Sequence, residues 1–77
     1  MKRDKLINFT AGKKVKIVDI NAGRGAEMNL MNLGLSIGNE IEICNESHMH
    51  APVRVRCGDT EIAIGYGLAA KIYVEDI

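Results

Sequence analysis

The chain has 77 residues, 47% of them hydrophobic and 26% charged, with a formal net charge of zero at neutral pH. That length allows one domain burying about 60% of its unfolded surface, which excludes a deep catalytic cleft, and the composition excludes a disordered chain. No apolar run approaches the roughly 20 residues that span a bilayer, and no apolar segment follows the basic start as in a signal peptide, so a cytoplasmic location is expected.

Charge is uneven along the sequence. Seven of the ten basic residues fall in the first 24 positions, and eight of the ten acids lie after residue 26. Such polarity suits nucleic acid binding only with a second cue, such as interleaved aromatic platforms, and none is present. A solvated basic arm and an exposed strand face account for it, and folding can interleave the two halves.

Residues 1–12 form a polar, basic lead, with 1–8 expected as a flexible arm. Leu6, Ile7 and Phe9 are its sizeable apolar groups. Residues 13–21 then read as a strand, because Val15, Ile17, Val18 and Ile20 are β-branched and suit a pleated, half-buried setting. The adjacent pair Ile17-Val18 breaks alternation, which calls for a bulge or for burial on both faces. Asn21-Ala22-Gly23-Arg24-Gly25 reads as a loop. Its Gly23-x-Gly25 is a fragment of a dinucleotide-binding pattern, but Met28 stands where the third glycine belongs.

Residues 26–33 read as a helix. At about 100° per residue, Ala26, Leu30 and Leu33 share one narrow face, while Met28 and Met31 fall roughly opposite. Either the N-terminal lead covers this methionine side, or it is exposed as an adaptable contact surface. Gly34 follows where helices commonly end in the left-handed conformation. Gly38 punctuates the chain again before Ile41 and Ile43 alternate with Glu40 and Glu42, the period of a strand.

Residues 39–45 and 52–57 are then two antiparallel strands about a loop centred on His48. Ile43 is expected opposite Val53, Ile41 opposite Val55, Glu42 opposite Arg54 and Glu40 opposite Arg56. Apolar pairs thus share one face and opposite charges the other. Gly58-Asp59 has glycine first, as a type II′ hairpin needs. Thr60 to Ile64 is the next strand, with Ile62 and Ile64 inward. Gly65-Tyr66-Gly67 breaks it, Tyr66 to Lys71 makes one helical turn with Leu68 or Ala69 on the core, and Ile72-Tyr73-Val74 closes the fold. The whole reads as mainly β: a small, closed, SH3-like β-barrel of about five strands with one short helix and a helical turn, occupying the chain as a single domain.

No nucleophile–base grouping, carboxylate pair or phosphate loop can be assembled, so no enzyme is expected. The two cysteines, Cys44 and Cys57, fall on opposite sheet faces and are expected as thiols. His48-Met49-His50, with Cys44 nearby in sequence, offers side chains that can ligate transition metals. Two neighbouring imidazoles on a loop without a supporting shell fit a solvated loop better, and any Fe²⁺ or other divalent metal there would be weakly held.

The segment Leu33-Gly34-Leu35-Ser36-Ile37-Gly38, followed by Glu40-Ile41-Glu42-Ile43, resembles the Met-Gly-Leu-x-Pro-Gly-x-x-Ile-x-Val signature of the FeoA family. So do Phe9 to Ile17, Ala51 to Arg56 with Gly58, and Ile62-Ala63-Ile64 with Leu68 to Val74, in the family's order. Leu33 replaces the usual Met, Ile37 the usual Pro, and Gly65 stands near a common Arg. The resemblance implies a cytosolic accessory of bacterial ferrous iron uptake that contacts the GTPase region of a FeoB-type transporter, with no nucleic acid partner and no direct membrane insertion. The expected contact residues are Met28, Met31, Leu35 and Tyr66. The rival reading is a metal-sensing module similar to the C-terminal domain of iron-dependent repressors, with His48, His50 and Cys44 as ligands.

Overall fold

The computed structural model describes residues 3–46 and 48–77. In chain order it contains β1 (Arg3–Lys5), a 3-10 turn (Leu6–Asn8), β2 (Lys14–Ile20), α1 (Gly23–Asn32), β3 (Glu40–Ile43), β4 (Val53–Cys57), β5 (Thr60–Ile64), α2 (Tyr66–Ala69) and β6 (Ile72–Asp76). The strands form one antiparallel sheet in the order β1-β6-β2-β3-β4-β5. This is the expected mainly β, SH3-like architecture, with one strand more than the sequence suggested. Among the described residues no ladder joins β1 to β5, so the barrel is not closed by hydrogen bonds. α2 packs on the 3-10 turn instead, and Leu6 and Ala69 are both fully buried.

The sheet curls around one apolar cluster, and no polar or charged side chain among the described residues is buried. Alternation decides which side chains enter it. Val15 and Ile17 point inward, and the register with β6 then slips between Ile17 and Asp19. Val18 is the extra residue of that bulge, so Ile20 also reaches the core. The bulge reading of Ile17-Val18 therefore holds.

The basic lead is structured from Arg3 onward. Arg3, Asp4 and Lys5 pair with Glu75, Val74 and Tyr73 of β6, and Leu6 and Phe9 are core residues. Only Met1 and Lys2 of the expected arm lie outside the described residues.

Folding interleaves the basic and acidic halves. Across the outer sheet face, Arg3 opposes Glu75, Glu75 opposes Lys16, and Lys16 opposes Glu40. A second row runs from Lys14 to Glu42, Arg56 and Glu61. Each row alternates in sign, so neither makes the single-sign stripe that tracks a phosphate backbone. Facing opposite charges also favour this register over a slipped one.

The β3–β4 register differs from expectation by two residues. Ile43 faces Val55 and Glu42 faces Arg56. A shift of two keeps every side chain on its face, so the burial pattern is unchanged. Asn45 explains the offset. Its Oδ1 accepts from the Arg54 N–H at 2.6 Å and its Nδ2 donates to the Pro52 carbonyl at 3.2 Å, so a side chain supplies the bonds near the hairpin end. The expected Glu42–Arg54 pairing is replaced: Arg54 and Arg56 both reach Glu61, at 3.4 and 3.6 Å. The β4–β5 hairpin turns on Gly58-Asp59, with Gly58 at φ 63°, as a type II′ turn requires.

α1 begins three residues earlier than expected, at Gly23, and ends in a reversal built on glycine. Gly34 adopts φ 90°, its N–H donates to the Met31 carbonyl at 2.9 Å, and the Leu35 N–H donates to the Leu30 carbonyl at 2.8 Å. This is the double bond of a Schellman cap, with its apolar contact between the residues on either side. Leu30 and Leu35 are accordingly the buried pair, and Leu33, expected on the core face, is about half exposed. Leu33 is the helical C-cap, its N–H bonded to the Asn29 carbonyl at 3.2 Å, but Leu35, folded back by the reversal at Gly34, takes the core position against Leu30.

Four residues on, Ser36-Ile37-Gly38-Asn39 makes a type II turn. The Asn39 N–H donates to the Ser36 carbonyl at 3.0 Å, and Gly38 has φ 100°, the left-handed value that position needs. The turn is docked on β2 by Gly38 N–H to the Ile17 carbonyl (2.8 Å) and Ile17 N–H to the Asn39 carbonyl (2.9 Å).

Two substitutions test these turns with opposite signs. A Cβ on Gly34 would meet nothing within 4 Å, so Gly34→Ala carries only the backbone cost, about 1–2 kcal/mol, and should lower the melting temperature by roughly 5–15 °C. Ile37 occupies the turn position that proline favours, so Ile37→Pro should stabilise the chain by about 0.4–1 kcal/mol. Thermal melts of the two variants check both; an unchanged Gly34→Ala melt contradicts the cap.

Candidate functional site

Six large apolar side chains are exposed among the described residues, and four of them, Met28, Met31, Leu33 and Ile37, fall within one ten-residue segment. The cap and the turn just described cause this. α1 buries Leu30 and turns Met28 and Met31 outward. The reversal at Gly34 then leaves Leu33 on the outside, and the type II turn presents Ile37 at its corner. The methionine side of the helix is exposed, not covered by the N-terminal lead.

Between α1, the end of β2 and this connection lies a largely apolar hollow of about 370 Å³, lined by Ile20, Glu27, Met31, Leu35, Ser36 and Ile37. Ile20 and Leu35 form its floor. Met31 and Ile37, each about 60% exposed, form its rim. Glu27 and Met31 are four apart, so they stand one above the other on the same helical face. The Ser36 hydroxyl bonds to the Asn39 side chain and holds the connection in place.

The expected contact residues separate on this map. Met31 lines the hollow, and Met28 is exposed on the helix outside it. Leu35 is fully buried, because the Schellman cap drives it inward against Leu30, and it meets the hollow only as part of its floor. Tyr66 is partly buried and does not line the hollow. Its ring stacks on His50, with centroids 4.4 Å apart and planes at 26°. Sequence reasoning missed Ile20, Glu27 and Ile37. An isoleucine inside a turn, where small polar residues or proline are usual, was the available signal for Ile37.

The metal candidates point to different partners. His48 Nε2 lies 4.0 Å from Glu46 Oε1, His50 is stacked on Tyr66, and Cys44 Sγ lies 3.8 Å from the Glu42 carbonyl oxygen. Among the described residues no group of three or more His, Cys, Asp or Glu is gathered as a cation would need. The loop itself is tightly turned. The Ala51 N–H donates to the His48 carbonyl at 2.9 Å, and Met49 and His50 have φ values of 51° and 63°, the pattern of a type I′ turn. Cys44 and Cys57 are both free thiols, and Cys57 Sγ lies 3.5 Å from the Gly34 carbonyl oxygen, linking the end of β4 to the helix cap. No described helix is long and apolar enough to cross a membrane.

Comparison with known proteins gives the family. The FeoA domain family model matches residues 5–76. A putative Fe(2+) transport protein A of Methanocaldococcus jannaschii is 38% identical over 65 residues, covering 84% of this chain and 77% of that one. In structure, the chain is similar to a crystallised iron uptake regulatory protein, FeoA, with a TM-score of 0.89 at 29% identity over 99% of this chain and all of that one. A manganese-dependent transcriptional repressor shares the fold at a TM-score of 0.87 and 14% identity; the match covers 97% of this chain and 42% of that one. The match over nearly its whole length, together with the archaeal relative, shows that the chain belongs to the FeoA family, accessory proteins of ferrous iron transport.

Proposed function

We propose that this chain serves ferrous iron uptake as a non-enzymatic docking module in the cytoplasm, laying the outer face of α1 and the Leu33–Gly38 connection against the GTPase region of a FeoB-type transporter. The observation that carries the reading is the concentration of exposed apolar side chains in residues 28–37 beside a preformed apolar hollow. Contiguous apolar surface on a small domain marks contact sites, whereas scattered single residues do not. The family supplies the transport system, and the relative's description as an Fe(2+) transport protein agrees with it. In this reading His48, His50 and Cys44 serve the hairpin and hold no resident metal.

Titration of the isotope-labelled chain with the transporter's GTPase region, with and without a GTP analogue, should shift amide signals in α1 and residues 33–38. The double substitution Met31→Gln/Ile37→Gln should weaken binding by about 10-fold or more, since rim anchors of this kind contribute around 1 kcal/mol or more each. Being exposed, it should change stability by only about 0.5 kcal/mol. No response in either nucleotide state contradicts the reading.

A further inference from the structure

The hollow contains one charged wall. Glu27 is half-buried and lines it. Among the described residues no cation lies within ion-pairing distance of its carboxylate: the ion pairs go to Asp76, Glu46 and Glu61. Arg24, three residues earlier on the same helix, makes no pair with it. Other acids are differently placed. Glu40, Glu42 and Glu75 each face a basic residue across a ladder, and the Asp19 carboxylate accepts from the Ile20 N–H.

Anything that covers Ile20, Met31 and Ile37 must also cover Glu27, which stands directly beside Met31 on the helix. A purely apolar occupant would strip water from a carboxylate and leave it uncompensated, which is strongly unfavourable. A cation set next to the apolar anchor turns the same burial into an attraction and fixes the docking register. The hollow's volume, about 370 Å³, is at the small end of ligand pockets and suits one or two apolar side chains. We infer that the hollow recognises a protein segment in which a lysine or arginine flanks a large aliphatic or aromatic residue, the apolar group entering between Met31 and Ile37 and the cation meeting Glu27. This rests on the docking reading above and specifies the chemistry of what docks.

The test uses three short amphipathic helical peptides that are identical except for one residue beside the leucine face: lysine, glutamine or glutamate. Amide shifts of Ile20, Glu27, Met31 and Ile37 in the labelled full chain report binding. The lysine peptide should bind about 5–10-fold more tightly than the glutamine peptide, with the glutamate peptide weakest, and added salt should narrow the differences. Glu27→Gln should bring the lysine and glutamine peptides within about twofold of each other, and Glu27→Asp, which keeps the charge, should retain the order. Equal binding of all three peptides, no shift at these residues, or a preference surviving Glu27→Gln overturns the inference.

Parallel titration with the transporter's GTPase region separates the two ideas. If that region binds the parent chain and Glu27→Gln equally, the cation requirement falls while docking stands. If the lysine preference appears and the GTPase region does not bind, the segment chemistry stands and the partner assignment falls.

Discussion

The left-handed turn at Gly34 is the constraint on which the rest depends. It ends α1 after Asn32 and satisfies two of the helix's open carbonyls through the N–H groups of Gly34 and Leu35. It also swings the chain so that Leu35 packs on Leu30. Burying a leucine of this kind contributes about 1.5–3 kcal/mol, which exceeds what the cap's hydrogen bonds supply individually, about 0.5–1.5 kcal/mol each. Core burial therefore decides the geometry and the cap permits it. The consequence for the surface is direct. With Leu35 inward, Leu33 and Ile37 have no core position left to take, and the segment offers them outward beside Met28 and Met31.

The barrel answers to the same segment. The type II turn that follows is pinned to β2 at Ile17, one residue before the Val18 bulge. The bulge brings Ile20 to the core edge, where it becomes the floor of the hollow. Helix end, turn and bulge thus act together: each alone is a local backbone feature, and jointly they place four apolar groups around one depression. The alternating charge rows on the sheet's outer face make the opposite kind of surface, internally matched and without an apolar patch. The contrast between these two faces is the reason the proposed docking surface is set on the helix side.

Much of the fold was legible because it is written in local chemistry. Gly34 and Gly38 mark the two reversals, Gly58-Asp59 marks the hairpin, and Ile17-Val18 announces the bulge by breaking a period of two. β1 was not legible, because Arg3-Asp4-Lys5 carries no apolar residue and becomes a strand only through its partner β6. The β3–β4 register was missed because the Asn45 side chain, which alternation says nothing about, sets the end of the hairpin. Leu33 was misplaced because the helical period does not foresee that the reversal at Gly34 folds Leu35 back to take the core position against Leu30. For the site, the period correctly turned Met28 and Met31 away from Leu30. The hollow itself joins Ile20, Glu27 and Ile37 from three separate segments, and only the tertiary fold brings these together.

The central claim is that the Met31–Ile37 surface is what ferrous uptake requires of this chain. Ferrous iron uptake in cells lacking it, restored with either the parent chain or Met31→Gln/Ile37→Gln, tests that most directly. The account predicts that the doubly substituted chain accumulates to the parent level and remains folded, yet leaves uptake near that of the deletion. Full restoration by that variant would contradict it.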